Sequence, residues 1–131
     1  MACSTLARMS QGIRIKRAYE TPSPKDGQRV LVERLWPRGV RKEALALDAW
    51  LKGVAPSDAL RRWFGHDPER WSEFSQRYLA ELRAEPAASS LRELRSYARG
   101  GPLTLIYAAK DEEHNSALLL RGVLTRSRAR R

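Results

Sequence analysis

Two arginines and a tryptophan lie within residues 34–39, directly after the apolar run at residues 30–32. Arginine presents a planar fork of N–H donors that suits phosphate or carboxylate, and tryptophan presents a flat face for stacking. Pro37 and Gly39 predict an irregular turn at this point. Because glycine permits close approach of a backbone, Arg38 beside Gly39 is the arginine that we expect to contact a ligand. The segment therefore predicts an anion pocket.

A structural role is the alternative for the same segment. In the binding role, Arg34 and Arg38 hold the anion and Trp36 forms a wall of the pocket. In the structural role, Arg34 pairs with a buried carboxylate such as Asp48, and Trp36 fills the core beneath the loop. The sequence leaves both roles open.

A second segment, residues 110–115, follows another apolar run at residues 103–109. Its acidic residues suit the first turn of a helix through the helix dipole and need no function. Backbone amides at a helix start can also hold an anion. We therefore expect Lys110 and Asn115 to contribute to ligand binding.

The chain contains two histidines, His66 and His114, and both are candidates for proton transfer near neutral pH. The alternative for His66 is packing at a helix N-terminus, with Asp67 as the capping residue. His114 and Asp111 offer two metal ligands on one turn, which do not make a site. The sequence predicts no metal and no cofactor.

The elements that must position these residues alternate between strand and helix patterns. Strands are predicted at residues 13–19, 30–32, 47–51 and 103–109, although residues 47–54 also fit helical spacing. Helical segments are predicted at residues 41–45, 57–64, 67–82, 90–99 and 117–124. Ser57 and Asp67 are predicted N-caps, and Ser90 with Glu93 has the spacing of a capping box. The pattern predicts an α/β fold: a single compact domain with a small, mostly parallel sheet flanked by helices. Ligand sites in such sheets lie at the carboxyl ends of the strands, where both segments should meet.

Length and charge predict how the chain is organised. Its 131 residues suit one domain, and we expect a flexible leader at residues 1–12, the α/β domain at 13–125 and a disordered basic tail at 126–131. The net charge is +10, but six arginines lie before residue 13 or after residue 120, so residues 13–120 carry only +4. The tail could bind nucleic acid non-specifically through counterion release.

Other features of the sequence predict a cytoplasmic protein. No apolar run approaches the roughly 20 residues that span a bilayer, so no membrane association is expected. The N-terminal residues lack the apolar block of a secretory signal. The single cysteine, Cys3, cannot form an internal disulfide and suits a reducing compartment.

Several segments of the sequence resemble the YeaO-like family, domain of unknown function 488. They are Val30-Leu31-Val32-Glu33-Arg34-Leu35-Trp36-Pro37-Arg38-Gly39, Leu47-Asp48-Ala49-Trp50, Ala55-Pro56-Ser57, Trp63-Phe64-Gly65-His66-Asp67 and Ile106-Tyr107-Ala108-Ala109-Lys110-Asp111. The resemblance covers roughly residues 13–123. It implies a compact α/β domain and supplies no reaction.

Two functional hypotheses follow from the residues. In the first, an anion-binding pocket at the strand ends uses Arg34, Trp36, Arg38, Lys110 and Asn115, and the protein acts on a small phosphorylated or carboxylated molecule. In the alternative, the protein is a non-catalytic module that binds nucleic acid or another protein through its basic surface and arginine-rich tail.

Overall fold

Residues 12–129, which the computed structural model describes, form four strands and five α-helices. The strands are β1 (Ile13–Arg17), β2 (Gln28–Leu31), β3 (Ala49–Trp50) and β4 (Leu103–Tyr107). The helices are α1 (Lys42–Leu45), α2 (Asp58–Phe64), α3 (Trp71–Arg83), α4 (Ala87–Arg99) and α5 (Ser116–Ala129). Short 3-10 turns precede β2, α2 and α3 at Pro24–Asp26, Lys52–Val54 and Pro68–Arg70.

The strands pair in parallel in the order β1-β4-β2-β3. Leu105 of β4 pairs with Ile15 of β1 on one side and with Val30 of β2 on the other. Every residue of β4 is buried, as expected for a parallel strand that is covered on both faces. The predicted α/β class, single domain and parallel sheet are confirmed. Because the strands run in one direction, their carboxyl ends meet at one edge of the sheet.

Both faces of the sheet bury side chains, because alternate residues along a strand point in opposite directions. Val30 and Leu105 belong to the larger cluster, in which helices α2 to α5 cover one face. Leu31 and Ile106 belong to a smaller cluster with Leu45 of α1 and the segment that follows β2. The segment that carries Arg34 and Arg38 therefore packs on the face of the sheet that has the smaller apolar cluster.

Two helix starts are confirmed where the sequence predicts them. Ser57 Oγ accepts a hydrogen bond from the Leu60 amide at 3.2 Å and so caps α2. Asp67 accepts a hydrogen bond from the Glu69 amide at 3.0 Å and opens the 3-10 turn that leads into α3. The apolar stripe of α3 enters the core through its buried residues Phe74, Tyr78 and Leu82.

The predicted start of α4 at Ser90 is wrong, because the helix begins at Ala87. The Glu85 carboxylate accepts hydrogen bonds from the Ser89 amide at 3.1 Å and the Ser89 hydroxyl at 2.6 Å. Ser90 instead faces Gly53, where an added Cβ would lie 1.9 Å from Ser90 Oγ. A side chain at position 53 would therefore collide with Ser90, because α4 approaches the turn at Gly53 closely.

A buried ion cluster joins three strands and α1. Arg29 donates to the Leu45 carbonyl from Nε at 3.0 Å and Nη2 at 2.9 Å, and its Nη1 lies 2.5 Å from Asp26 Oδ2. Lys16 Nζ of β1 lies 3.2 Å from Asp26 Oδ1, and the Thr104 hydroxyl of β4 donates to the Asp26 carbonyl. Burial alone would raise the pKa of Asp26, but hydrogen bonds from the Ser23 amide, Lys16 and Arg29 hold that pKa below its ordinary value. The carboxylate is therefore stabilised in its charged form.

The structure describes only part of the predicted leader and tail. Helix α5 continues to Ala129 and so extends into the predicted tail at residues 126–131. Residues 1–11, which make up nearly all of the predicted leader, and residues 130–131 lie outside the described residues.

We expect Asp26→Asn to lower the free energy of unfolding at pH 7 by about 3–5 kcal/mol, because it leaves the buried Arg29 without a charged partner. The stabilisation from Asp26 is present above the pKa of the unfolded carboxyl and is lost as the pH falls through the lower pKa of the folded one. The difference between variant and wild type should therefore narrow below about pH 4. Urea denaturation at a series of pH values measures this difference in the free energy of unfolding.

Asp58→Asn is the matched control, because its carboxylate is exposed and pairs with exposed Arg61. Its cost should stay below about 1 kcal/mol. Equal losses in the two variants, or a loss for Asp26→Asn that does not change with pH, would contradict the structural role of the cluster.

Candidate functional site

A cavity of about 300 Å³ opens at the edge of the sheet where β2 and β4 end. We call it the edge pocket. Its walls come from the segment after β2, the segment after β4, and helix α2 with its flanks. The lining residues are Tyr19, Glu33, Arg34, Leu35, Trp36, Pro37, Arg38, Pro56, Arg61, Phe64, His66, Phe74, Ala108, Ala109, His114, Asn115 and Ser116.

Glu33 links the ends of the two central strands. Its Oε2 accepts a hydrogen bond of 2.8 Å from the amide of Ala108, the residue that directly follows β4. Its backbone carbonyl accepts a hydrogen bond of 2.6 Å from the indole nitrogen of Trp50 in β3. Parallel pairing thus brings together residues that are 75 positions apart in the sequence.

The Glu33 carboxyl is partly removed from water. Burial raises its pKa, and the hydrogen bond from Ala108 and the coulombic attraction of His66 and Arg61 offset only part of that rise. The other carboxyl oxygen, Oε1, has no hydrogen-bond partner among residues 12–126. Since Glu33 lines the edge pocket, this oxygen is open to a ligand.

Arg34 is tethered to the chain that precedes α2. Its Nε donates to the Pro56 carbonyl at 3.0 Å, and its Nη2 donates to the Ala55 carbonyl at 3.3 Å. The carboxylate near it belongs to Asp58, at 4.0 Å from Nε. Asp48, the partner suggested by the structural alternative, instead accepts a hydrogen bond from the Arg29 amide. Arg34 therefore holds a loop in place and also lines the edge pocket.

Trp36 packs against the core and also lines the edge pocket. Its indole nitrogen donates to the Val40 carbonyl at 2.7 Å, and its ring meets that of Trp50 edge to face at 5.4 Å. The side chain packs against the smaller core cluster. It also lines the edge pocket, so a core position and a wall position coincide.

Arg38 and Arg61 bring two further guanidinium groups to the edge pocket. Arg61 Nη2 lies 3.5 Å from Asp58 Oδ1, in an exposed pair that contributes little. Arg38 is exposed, and its guanidinium is in no salt bridge or hydrogen bond with residues 12–126, whose side chains the structure describes. Its backbone carbonyl accepts a hydrogen bond from the Tyr19 hydroxyl at 3.2 Å, which holds the loop. The Arg38 side chain is thus open to a ligand.

His66 reaches the edge pocket from the turn after α2. Its backbone lies in the left-handed region at φ 59°, directly after Gly65 at φ 55°. A non-glycine residue in this region is uncommon, and the turn aims the exposed imidazole toward the cavity that it lines. The ring centroid lies 6.2 Å from that of Phe64.

His114 is oriented by the acid that precedes it. Its Nδ1 lies 2.8 Å from Asp111 Oδ2, and its ring meets Trp71 edge to face at 5.3 Å. Asp111 Oδ1 accepts hydrogen bonds from the Glu113 and His114 amides. Hydrogen bonds from the Glu113 amide and the His114 ring hold the pKa of Asp111 below its ordinary value. The Asp111 contact leaves Nε2 as the imidazole nitrogen that can meet a ligand.

Asn115 and Lys110 differ in their relation to the edge pocket. Asn115 is buried and caps α5: its Oδ1 accepts from the Leu118 amide, and its Nδ2 donates to the Asp111 carbonyl, both at 3.0 Å. It lines the edge pocket as well. Lys110 is exposed and is not a lining residue. The structure thus brings Asn115, but not Lys110, to the cavity shared with the arginines.

Tyr19, Glu33 and Arg61 are among the lining residues that the sequence-based reasoning did not name as site residues. Glu33 had a usable signal, because an acid directly after a buried parallel strand lies at the edge where ligand sites form. Tyr19 follows β1 in the same way. Arg61 gave no usable signal in the sequence, since an arginine on a short amphipathic helix is typical of a solvated face.

The edge pocket is suited to charge recognition. Three arginines and one half-buried carboxyl group line it, with two imidazoles that can donate or accept hydrogen bonds. Within residues 12–129 no group of three or more His, Cys, Asp or Glu side chains could hold a metal ion. In the same range no helix has the length and apolar character needed to cross a bilayer.

The chain is similar to proteins without an assigned activity. A family profile described as the inactive DUF488-N3 subclade matches residues 12–131. The uncharacterized protein YeaO of Escherichia coli (strain K12) is 43% identical over 108 residues, which cover 82% of this chain and 92% of that protein. The uncharacterized protein Rv3073c of Mycobacterium tuberculosis (strain ATCC 25618 / H37Rv) is 43% identical over 111 residues, 84% of this chain and 94% of that protein. No solved structure matches the chain.

The raised pKa of Glu33 has a consequence for stability. An acid whose folded pKa is raised destabilises the fold above its ordinary pKa, and this cost disappears as the pH falls below that value. Glu33→Gln should therefore raise Tm relative to wild type more at pH 8 than at pH 4, by on the order of 2–4 °C. Calorimetry at the two pH values measures the difference.

Glu43→Gln, at an exposed position of α1, controls for the general effect of removing a carboxylate. It should change Tm equally at the two pH values. If Glu33→Gln behaves like this control, Glu33 is not a desolvated acid.

Proposed function

We propose a binding function for this chain, which belongs to the YeaO-like family, domain of unknown function 488. The edge pocket holds a small anionic molecule through its phosphate or carboxylate group. The observation that carries this proposal is that Arg34, Arg38 and Arg61 line one cavity of about 300 Å³. Guanidinium groups bind these anions through paired, charge-assisted hydrogen bonds.

The three arginines would play different parts. Arg34 is fixed by the Ala55 and Pro56 carbonyls, so it contributes a positioned charge at little further cost in side-chain entropy. Arg38 and Arg61 are exposed and would close on the anion as it binds. With both imidazoles neutral, the lining side chains carry three positive charges against at most one negative charge on Glu33. This balance favours an anion.

Binding without turnover fits the family better than catalysis does. The matching subclade is described as inactive. In an enzyme, His66 and His114 would transfer protons at the same cavity. In the binding role, they donate hydrogen bonds to the ligand, with His114 held in place by Asp111.

A second candidate function rests on the uneven distribution of charge. The arginines at residues 126, 128, 130 and 131 would attract nucleic acid without sequence preference. This binding would be independent of the edge pocket. The single Cys3 supports a cytoplasmic location for either function.

The test is a thermal-shift titration with inorganic phosphate and sulfate. Wild-type protein should be stabilised by mass action, by about 2.7 kcal/mol at a concentration 100 times Kd. Arg38→Ala and Arg61→Ala should each weaken anion binding about tenfold or more, because each removes a charged hydrogen-bond donor. Isothermal titration calorimetry gives the affinities.

Arg62→Ala is the matched control, because Arg62 is the exposed neighbour of Arg61 on α2 and does not line the edge pocket. It should retain wild-type affinity, as should a chain that lacks residues 127–131. Equal losses for Arg61→Ala and Arg62→Ala, or loss of phosphate binding on removal of the tail alone, would show that the edge pocket is not the anion site.

A further inference from the structure

Two exposed apolar side chains stand at the edge pocket. Tyr19 is 50% exposed and Leu35 is 65% exposed, and they are the large hydrophobic side chains left exposed within residues 12–126. Both line the edge pocket. Scattered exposed apolar residues need no explanation, but their coincidence with a charged cavity indicates a ligand that also has an apolar surface.

The walls of the edge pocket suit a flat ring. Trp36 supplies an indole that the Val40 carbonyl fixes in place. Phe64 and Phe74 contribute a stacked pair with centroids 4.4 Å apart. Rigid aromatic walls offer stacking and edge-to-face contacts that favour a planar aromatic ligand over a flexible one.

Glu33 adds a requirement for a hydrogen-bond donor. Its Oε2 is satisfied by the Ala108 amide, its Oε1 has no protein partner in the part of the chain whose side chains the structure describes, and the residue lines the cavity. The carboxylate repels an anionic group placed directly beside it, although the three arginines make the cavity as a whole favourable for an anion. A ligand with an N–H group on its ring would instead satisfy Oε1 while its anionic group met the arginines.

We infer that the ligand of the edge pocket is a nucleoside monophosphate. Its base packs against Tyr19, Leu35 and Trp36 and donates a ring or exocyclic N–H to Glu33, and its phosphate is bound by Arg38 and Arg61. A cavity of about 300 Å³ lies at the small end of ligand pockets, which suits one nucleotide. This inference rests on the proposed anion-binding function and names the class of molecule.

Calorimetric titration of the full chain with the four ribonucleoside 5′-monophosphates, ribose 5-phosphate and inorganic phosphate tests it. At least one nucleotide should bind ten times more tightly than ribose 5-phosphate, because only the nucleotide has a base. Glu33→Gln should reduce that preference about tenfold, since the amide can present a donor where the base needs an acceptor. Leu35→Ser, at an exposed position, should weaken nucleotide binding by a larger factor than phosphate binding, because Leu35 contacts the base.

The outcomes separate the two proposals. If phosphate binds in an Arg38-dependent way but no nucleotide exceeds ribose 5-phosphate, the nucleotide inference is wrong and the anion site stands. The nucleotide inference is also wrong if Glu33→Gln and Leu35→Ser both keep the full wild-type preference for the nucleotide. If neither phosphate nor any nucleotide binds, both proposals are wrong.

Discussion

Strand β4 lies between β1 and β2 and runs parallel to both, and the position of the candidate site depends on this pairing. Parallel pairing places the ends of β2 and β4 side by side, so that the Ala108 amide reaches the Glu33 carboxylate. The segments after the two strands then enclose one cavity with α2. Two antiparallel neighbours would send these segments to opposite edges of the sheet. The chemistry of the edge pocket is thus a consequence of topology.

The buried ion cluster at Asp26 and the carboxyl group of Glu33 have opposite effects on the stability of the fold. At Asp26 and Arg29, each buried charge has partners of opposite sign or backbone acceptors, and the pKa of the acid is lowered. At Glu33 the pKa is raised and one carboxyl oxygen lacks a protein partner within the described range. The first arrangement stabilises the fold, whereas the second costs stability. Such a cost is expected where a side chain is kept for a ligand.

The sequence predicted the strands and helix starts better than it predicted which residues line the edge pocket. Apolar runs predicted β2 and β4, and Ser57 and Asp67 predicted helix starts, because these signals are local. The capping prediction for Ser90 is wrong because its close approach to Gly53 is a tertiary contact. Arg34 and Trp36 line the edge pocket, but their backbone partners could not be predicted from spacing. Arg61 was missed because only the fold turns it toward the strand ends.

The most direct measurement is a two-dimensional ¹H–¹⁵N NMR titration of the labelled chain with inorganic phosphate. If the edge pocket is the anion site, saturable shifts will appear together at the amides of residues 34–36 and 38, of Ala108 and of His66. These amides belong to three separate parts of the chain that all line this cavity. Shifts confined to residues 126–131, or scattered over the surface without saturation, would contradict an anion site at the edge pocket.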